Sequence, residues 1–346
     1  MVETHLIPCK RLKDFCLNVV SKTELDKEDR GILVDTLIEA NLRGVDTHGV
    51  IRLPVYIERI KKCPCKKPEI IRENPTTALI EGNNYLGQVC ATRAMKLAVK
   101  KAKKTGIGMV GVRNSSHFGA AAYYSMLASE ENMIGISLTN ASPRLAPWGG
   151  REALFGNNPW SISIPTSLDF PLVLDISNSV TAAGNLRRAA LNNQEIPEGW
   201  ALDADGKMTT DPHRALKGIL LPIGKHKGYG ITMMIDILAG VLTSSGFADQ
   251  VSEIDKVDRP QRVGHQFLAI DINNFIPEEE FKARLDHLIQ RVKSVDRIED
   301  IDEIFCPGEI EHLKTKKRLQ EGIPLTDYLL AELNKLAVNL DVSKLK

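Results

Sequence analysis

Between Ala78 and Ile272 the apolar residues keep switching between two periods, and this switching constrains the fold more than any other feature of the chain. Gln88–Lys104 and Ala120–Glu131 carry apolar residues at helical spacing, whereas Met109–Val112, Ile134–Thr139, Trp160–Ile164 and Leu172–Ile176 are short runs of strand length. Each apolar stripe needs a partner surface, and helices alternating with strands find one by stacking on a sheet. The chain is therefore predicted to be an α/β protein. Further along, Gly228–Ser244 is read as a long core helix and Phe267–Ile272 as a strand. Phe281, Leu285, Leu288 and Val292 form the stripe of another helix, and two more, near Glu309–Gln320 and Thr326–Leu340, close the chain.

The first 60 residues are read as helical throughout. Leu12, Phe15, Cys16, Val19 and Val20 mark one helix, and Leu33, Leu37 and Ala40 mark a second over Thr23–Arg43, with Thr23 as its cap. A third starts at Pro54, whose missing N–H costs nothing in a first turn. The basic, proline-bearing stretch Lys61–Pro68 breaks the pattern and is read as a boundary. Lys100–Lys104 and Lys314–Arg318 are read as solvated helix faces.

Charge narrows the function. Forty-five Lys and Arg against 44 Asp and Glu leave a net charge of +1, no excess with which to neutralise a polyanion, and 5% aromatic residues offer no stacking platform. A small-molecule enzyme or binding protein is expected, without nucleic-acid or membrane partners. The longest apolar run, Ile231–Leu242, is about 12 residues against the roughly 20 of a membrane span. Charges at Lys10, Arg11, Lys13 and Asp14 do not suit a secretory signal, so a cytoplasmic location with reduced cysteines is expected. Cys63-Pro-Cys65 has no second Cys or His pair nearby, so no metal site is expected.

Gly106-Ile107-Gly108-Met109-Val110-Gly111 reproduces the dinucleotide fingerprint G-x-G-x-x-G. In that fingerprint the glycines follow a strand and open a helix, placing the pyrophosphate at the helix N-terminus. Here they follow a helix and open a strand. Gly106 is instead read as the left-handed residue that ends the lysine-rich helix, and a Rossmann nucleotide site is rejected.

Three stretches carry chemistry. Arg43–Arg52 joins two helices and offers Arg52 as a two-pronged carboxylate clamp and His48 as a group that exchanges protons near neutrality. Read alone, it is better explained as a turn with a backbone-bonded His48 and an Arg52 in a surface ion pair. Asn114–Gly119 lies where a strand hands over to a helix, the favoured ligand crevice of open α/β sheets, and places His117 there. Gly224-Lys225-His226-Lys227-Gly228-Tyr229-Gly230 leads into a helix, and its glycines, lysines and free N–H groups suit a phosphate. It lacks the Ser or Thr of a Walker motif, so nucleotide hydrolysis is not implied.

Together these stretches resemble the type-2 malate/L-lactate dehydrogenase family, which also holds ureidoglycolate, sulfolactate and diketogulonate oxidoreductases and a cyclic imine reductase. The resemblance runs through Arg43–Tyr56, Asn114–Gly119, Thr139-Asn140, Pro147–Gly150, Gly156–Pro159, Leu174–Ser177, Ile196–Asp203, Thr209–Pro212, His226–Gly230 and Gly264–Phe267. It implies a non-Rossmann NAD(P)-binding fold with a mixed sheet. It also implies a helical subdomain built from residues 1–73 and 305–346 beside an α/β domain of residues 74–304, and usually a homodimer.

By the same resemblance His48 is treated as the proton donor in some members and His117 as the acceptor in others. Arg52 would hold the substrate carboxylate, and Asn140 would orient the substrate or the nicotinamide amide. Leu174, Asp175, Ile176, Ser177, His226, Lys227, Gly308 and Glu309 correspond to cofactor-binding segments. Where many members carry Arg-Gly-Lys, this chain has Ala183-Gly184-Asn185, which favours NAD over NADP unless Arg187 and Arg188 compensate. Lys225 also replaces a usual glycine. The expected reaction is hydride transfer between nicotinamide and a small 2-hydroxy or 2-oxo acid, malate first, with lactate, ureidoglycolate, sulfolactate or a cyclic imine acid as alternatives. A non-catalytic NAD(P)-binding protein on the same scaffold is the competing class.

Overall fold

The computed structural model describes residues 4–345. The first part of the chain forms β1 (Thr4–Ile7), α1 (Cys9–Val20), α2 (Lys27–Leu42), α3 (Leu53–Lys62), β2 (Glu69–Glu73), β3 (Thr77–Glu81), α4 (Gly87–Thr105) and β4 (Ile107–Ser115). The middle forms α5 (Ala122–Ser129), β5 (Met133–Thr139), β6 (Trp160–Ile164), β7 (Leu172–Ile176), α6 (Ala183–Leu191), β8 (Ala201–Leu202), α7 (Pro212–Ala215) and β9 (Ile219–Leu220). Then come α8 (His226–Asp236), β10 (Val263–Asp271), α9 (Glu278–Lys293), α10 (Glu309–Glu321), β11 (Ile323–Thr326) and α11 (Asp327–Asn339).

Seven strands make one mixed sheet in the order β2-β3-β4-β10-β5-β6-β7. Only β3 and β4 run parallel; the other neighbours are antiparallel. This is the expected α/β architecture. β10, late in the chain, lies between β4 and β5 and so stitches the early and middle segments together. One apolar cluster reaches from Leu12 and Leu37 through Ala94 and Val110 to Phe267 and Leu333, so elements from both chain ends share core with the sheet.

The fingerprint glycines behave as the helix-to-strand reading requires. Gly106 caps α4 at φ +83°, its N–H donating to Ala102 O. A Cβ on Gly108 would sit 2.0 Å from Ala98 O, so this glycine lets β4 press against α4 and has no phosphate to meet.

Four expectations are corrected. Thr4–Ile7 is a strand, not helix, because β11 arrives to pair with it antiparallel. Thr23 does not cap α2: its hydroxyl donates to Val20 O at the end of α1, while Asp26 caps α2 by accepting from Asp29 N–H. Lys101 and Arg318 are not solvated. Lys101 is buried against Glu73 at 2.8 Å and Asn74 O at 2.6 Å, and Arg318 is only 16% exposed in an ion pair with Asp46. Finally, α8 and the wide π turn Ile237–Val241 that continues it are buried on one side only. Met234, Val241 and Leu242 are more than half exposed, since an unbroken apolar run does not reveal how many faces of its helix are covered.

Candidate active site

The hairpin-like turn after α2 carries the first functional group of residues. Gly44 turns the chain at φ +79°, and Asn41 then folds the loop over itself, its Oδ1 accepting from Val50 N–H and its Nδ2 donating to Asp46 Oδ1. A Cβ on Gly49 would lie 2.2 Å from Asn41 Oδ1, which is why glycine stands there. Arg318 of α10 closes the loop from outside, reaching both Asp46 oxygens at 2.6 and 3.0 Å and also Asn41 O. The result aims Thr47, His48 and Arg52 into a cavity of about 670 Å³, well within the usual range for small-ligand sites. Arg52 Nε donates to Thr47 O at 2.8 Å, and among the described residues no carboxylate pairs with its guanidinium.

The handover from β4 to α5 supplies His117. Its backbone N–H donates to Gln261 Oε1, and its Nδ1 lies 2.7 Å from the Tyr56 hydroxyl and 3.3 Å from Gly119 N–H. The His117 ring stacks on His48 with centroids 5.5 Å apart and planes 18° from parallel. Two imidazoles this close, with Arg52 beside them, disfavour a second positive charge. Burial first, then Arg52, lowers the His48 pKa to about 4, and burial followed by His48 and Arg52 holds His117 well below the usual histidine range. Both rings are neutral near pH 7.

The facing wall is built from β7 and the turn before α10. Val173 through Ser177 line it, with Gly308, Ile310 and Glu311 alongside. Asp175 accepts from Ala122 N–H at the start of α5, and burial raises its pKa to about 6. Gly119, at φ +87°, lines the cavity with nothing within 4 Å of where a Cβ would stand, and Ala120, Ala121, Ala182, Ala183 and Gly184 continue a wall of small residues. Arg43, Arg144 and Arg187 contribute positive charge around it.

His48, Arg52, His117, Asn140, Leu174, Asp175, Ile176, Ser177 and Gly308 all border this one cavity. Three expected residues do not. Glu309 turns away to Lys293 at 2.5 Å and to Cys306 N–H at 2.9 Å, fixing the turn that presents Gly308. His226 and Lys227 stand exposed at the start of α8, outside the lining, although the segment before them is tied to the chain leaving β7 through Val180 N–H to Leu221 O and Ile223 N–H to Asn178 O. Asn140 lines the cavity, but its carboxamide is committed elsewhere: Nδ2 donates to Gly246 O at 2.8 Å and Oδ1 accepts from Gly264 N–H at 2.9 Å. That side chain thereby braces the turn at Gly246 against the start of β10. Tyr56 was overlooked, though it stands four residues after Arg52 and so shares its helical face. Gln261 had no local signal at all.

A profile of the malate/L-lactate dehydrogenase family matches residues 7–334. The chain belongs to that family. It is similar to a malate dehydrogenase of Pyrococcus horikoshii, 41% identical over 98% of this chain and 96% of the relative. It is also 39% identical to a malate/(S)-sulfolactate dehydrogenase of Methanothermus fervidus, over 95% of this chain and 96% of the other. A solved malate dehydrogenase from Entamoeba histolytica superposes with a TM-score of 0.94 at 36% identity, covering 99% of both chains. This member of the malate/L-lactate dehydrogenase family is accordingly a dehydrogenase with a nicotinamide cofactor. The cavity fits such a group: Gly119 leaves open space that a side chain would fill, and the small-residue wall and the arginines suit a flat, phosphate-bearing molecule. Among the described residues no group of three or more His, Cys, Asp or Glu is placed to hold a metal ion, and no helix is long and apolar enough to cross a membrane.

Proposed function

We propose that the chain interconverts a small 2-hydroxy acid and its 2-oxo acid, with malate as the preferred substrate and NAD as the preferred cofactor. The observation that carries this reading is the meeting in one cavity of an Arg52 without a carboxylate partner and the stacked, neutral His48 and His117. Arg52 binds the substrate carboxylate through the guanidinium nitrogens that Thr47 leaves free. His117 moves the proton at the C2 oxygen through Nε2, since its Nδ1 is held by Tyr56 and Gly119. His48, whose ring among the described residues hydrogen-bonds only its neighbour Thr47, at 2.9 Å, orients the substrate from across the stack. Leu174–Ser177, Gly308 and the wall from Gly119 to Ala121 hold the nicotinamide cofactor, which when bound gives or takes the hydride at C2.

NAD is favoured because Ala183-Gly184-Asn185 brings no positive group to a 2′-phosphate, while Arg187, which does border the cavity, supports a weaker use of NADP. We also propose a homodimer joined through the exposed Met233, Met234, Leu238, Val241 and Leu242 face, supported by its apolar extent. Nicotinamide absorbance followed with malate, lactate, sulfolactate and ureidoglycolate, each with NAD and NADP, tests the reaction. The highest kcat/KM is expected for malate with NAD. NADH binding without turnover on any acid would replace the reading with that of a binding protein, and a monomer by light scattering would remove the dimer.

A further inference from the structure

The Tyr56 hydroxyl, 1% exposed with the rest of its residue, is buried beneath His117 and lies 2.7 Å from Nδ1. Gly119 N–H also points at Nδ1, from 3.3 Å, and an N–H has only a proton to offer. In the neutral ring Nδ1 is therefore an acceptor and the proton sits on Nε2, which among the described residues makes no hydrogen bond. A histidine that gives up its Nε2 proton must carry the other on Nδ1 when it finishes. Gly119 cannot accept from Nδ1–H, but a phenol oxygen can. Gln88 is wholly buried beside the same hydroxyl and its carboxamide has no other hydrogen-bond partner, so its N–H can donate to the phenol oxygen and its carbonyl can accept from the phenol O–H, which supports either orientation of the hydroxyl. Burial keeps Tyr56 as the neutral phenol throughout.

We propose that Tyr56 is a positioning residue for proton transfer, a two-way partner that donates to Nδ1 of the resting His117 and accepts from Nδ1–H when the ring is protonated and again after Nε2 has given its proton away. This rests on the reading that His117 moves the proton. In the direction of reduction, the ring takes a proton from solvent and becomes the imidazolium. Nε2 then passes its proton to the carbonyl oxygen as the carbon receives hydride from the nicotinamide. The products are the alcohol, the oxidised cofactor and a neutral ring protonated at Nδ1 and bonded to the Tyr56 oxygen. The charged groups facing the ring are Arg52 from the loop and Arg59 from α3, and the titratable ones are His48 from the loop and His265 from β10; the arginines oppose its protonation, as would either histidine if it were protonated. The phenol oxygen is the acceptor that offsets them, and bound substrate carboxylate adds to it.

Tyr56→Phe keeps the ring and removes the oxygen. Hydrogen bonds to charged groups of this kind correspond to about ten- to a hundred-fold in rate, so kcat for oxo-acid reduction is expected to fall by that factor with KM changed less than about threefold. The fall of kcat with rising pH is expected to move to lower pH, because the imidazolium has lost its acceptor. Imidazole ¹⁵N shifts of the unaltered protein give a readout independent of turnover, and are expected to place the His117 proton on Nε2, with the tautomers mixed in Tyr56→Phe. An unchanged pH profile and unchanged shifts in a folded Tyr56→Phe, or a resting proton on Nδ1 in the unaltered protein, would overturn the proposal. His117→Gln separates the two ideas. If it stays active, the proton-transfer reading fails; if it is inactive while Tyr56→Phe is indistinguishable from the unaltered enzyme, only the role of Tyr56 fails.

Discussion

His48, Arg52 and His117 stand in short motifs dense with polar and glycine residues, and that density made them readable before any fold was known. What each one does was not readable, because it depends on neighbours remote in sequence. Asn140 shows this most plainly: its carboxamide bonds to Gly246 and to Gly264 at the start of β10, each more than a hundred residues away. The assignments lead to two expectations. His117→Gln should lower kcat at least a hundred-fold in both directions, in line with the usual worth of general acid–base groups, with cofactor affinity by fluorescence titration unchanged. Arg52→Lys keeps the charge but loses the two-pronged geometry, so KM for the acid should rise about tenfold or more with a smaller change in kcat. Equal KM values for the two proteins would remove Arg52 from the carboxylate site.

α10 shows how an element can matter through its two ends. None of its residues is fully buried, and it is held by ion pairs, Lys316 with Asp169, Glu309 with Lys293 and Arg318 with Asp46, together with the stacking of His312 on Phe170. Its first turn lines the cavity beside β7, while Arg318 pins the loop that carries His48 and Arg52. Arg318→Met is expected to raise KM for the acid about three- to tenfold and to leave the melting temperature within a few degrees; steady-state kinetics and a thermal scan decide. The lysine-rich composition of this helix pointed to a solvated face because charge patterns do not say which charges find partners after folding. Gly108 gives the opposite lesson. Its motif pointed to a nucleotide, yet the order of helix before strand was enough to reject that, and the structure gives it a packing duty against Ala98. Gly108→Ala should therefore cost about 1–3 kcal/mol in urea unfolding, the usual price of overpacking, while the cofactor affinity of the folded fraction stays the same.

Three neutral histidines give the whole molecule an acid weakness. His265, wholly buried and stacked on Phe118 at 4.8 Å, has its pKa lowered by burial to about 3, and His48 and His117 shift the same way. Once pH falls below about 6.5 the unfolded chain binds protons that the folded one refuses, so stability declines from there towards pH 3. Asp175, raised to about 6, and Glu39, Glu130 and Asp236, also raised by burial, act in the opposite sense as they protonate and offset part of this loss. The midpoint of urea unfolding is expected to drop steadily from pH 7 to 5. His265→Gln should flatten that slope, and a midpoint independent of pH over this range would contradict the burial of neutral histidines.

Hydrophobic period and glycine placement, which act within a few residues, were sufficient for the α/β class, the positions of α4, β4, β5, β6 and β7, and the rejection of a Rossmann site. Contacts between distant segments were not encoded in any window of the chain. The strand pairing of β1 with β11, the open face of α8, the stacking of His48 on His117 and the grip of Arg318 on Asp46 arise only when β10 inserts between β4 and β5 and the chain ends close over the same core. Period records how one segment meets an apolar surface; which side chains then face one another depends on the order in which the sheet brings those segments together.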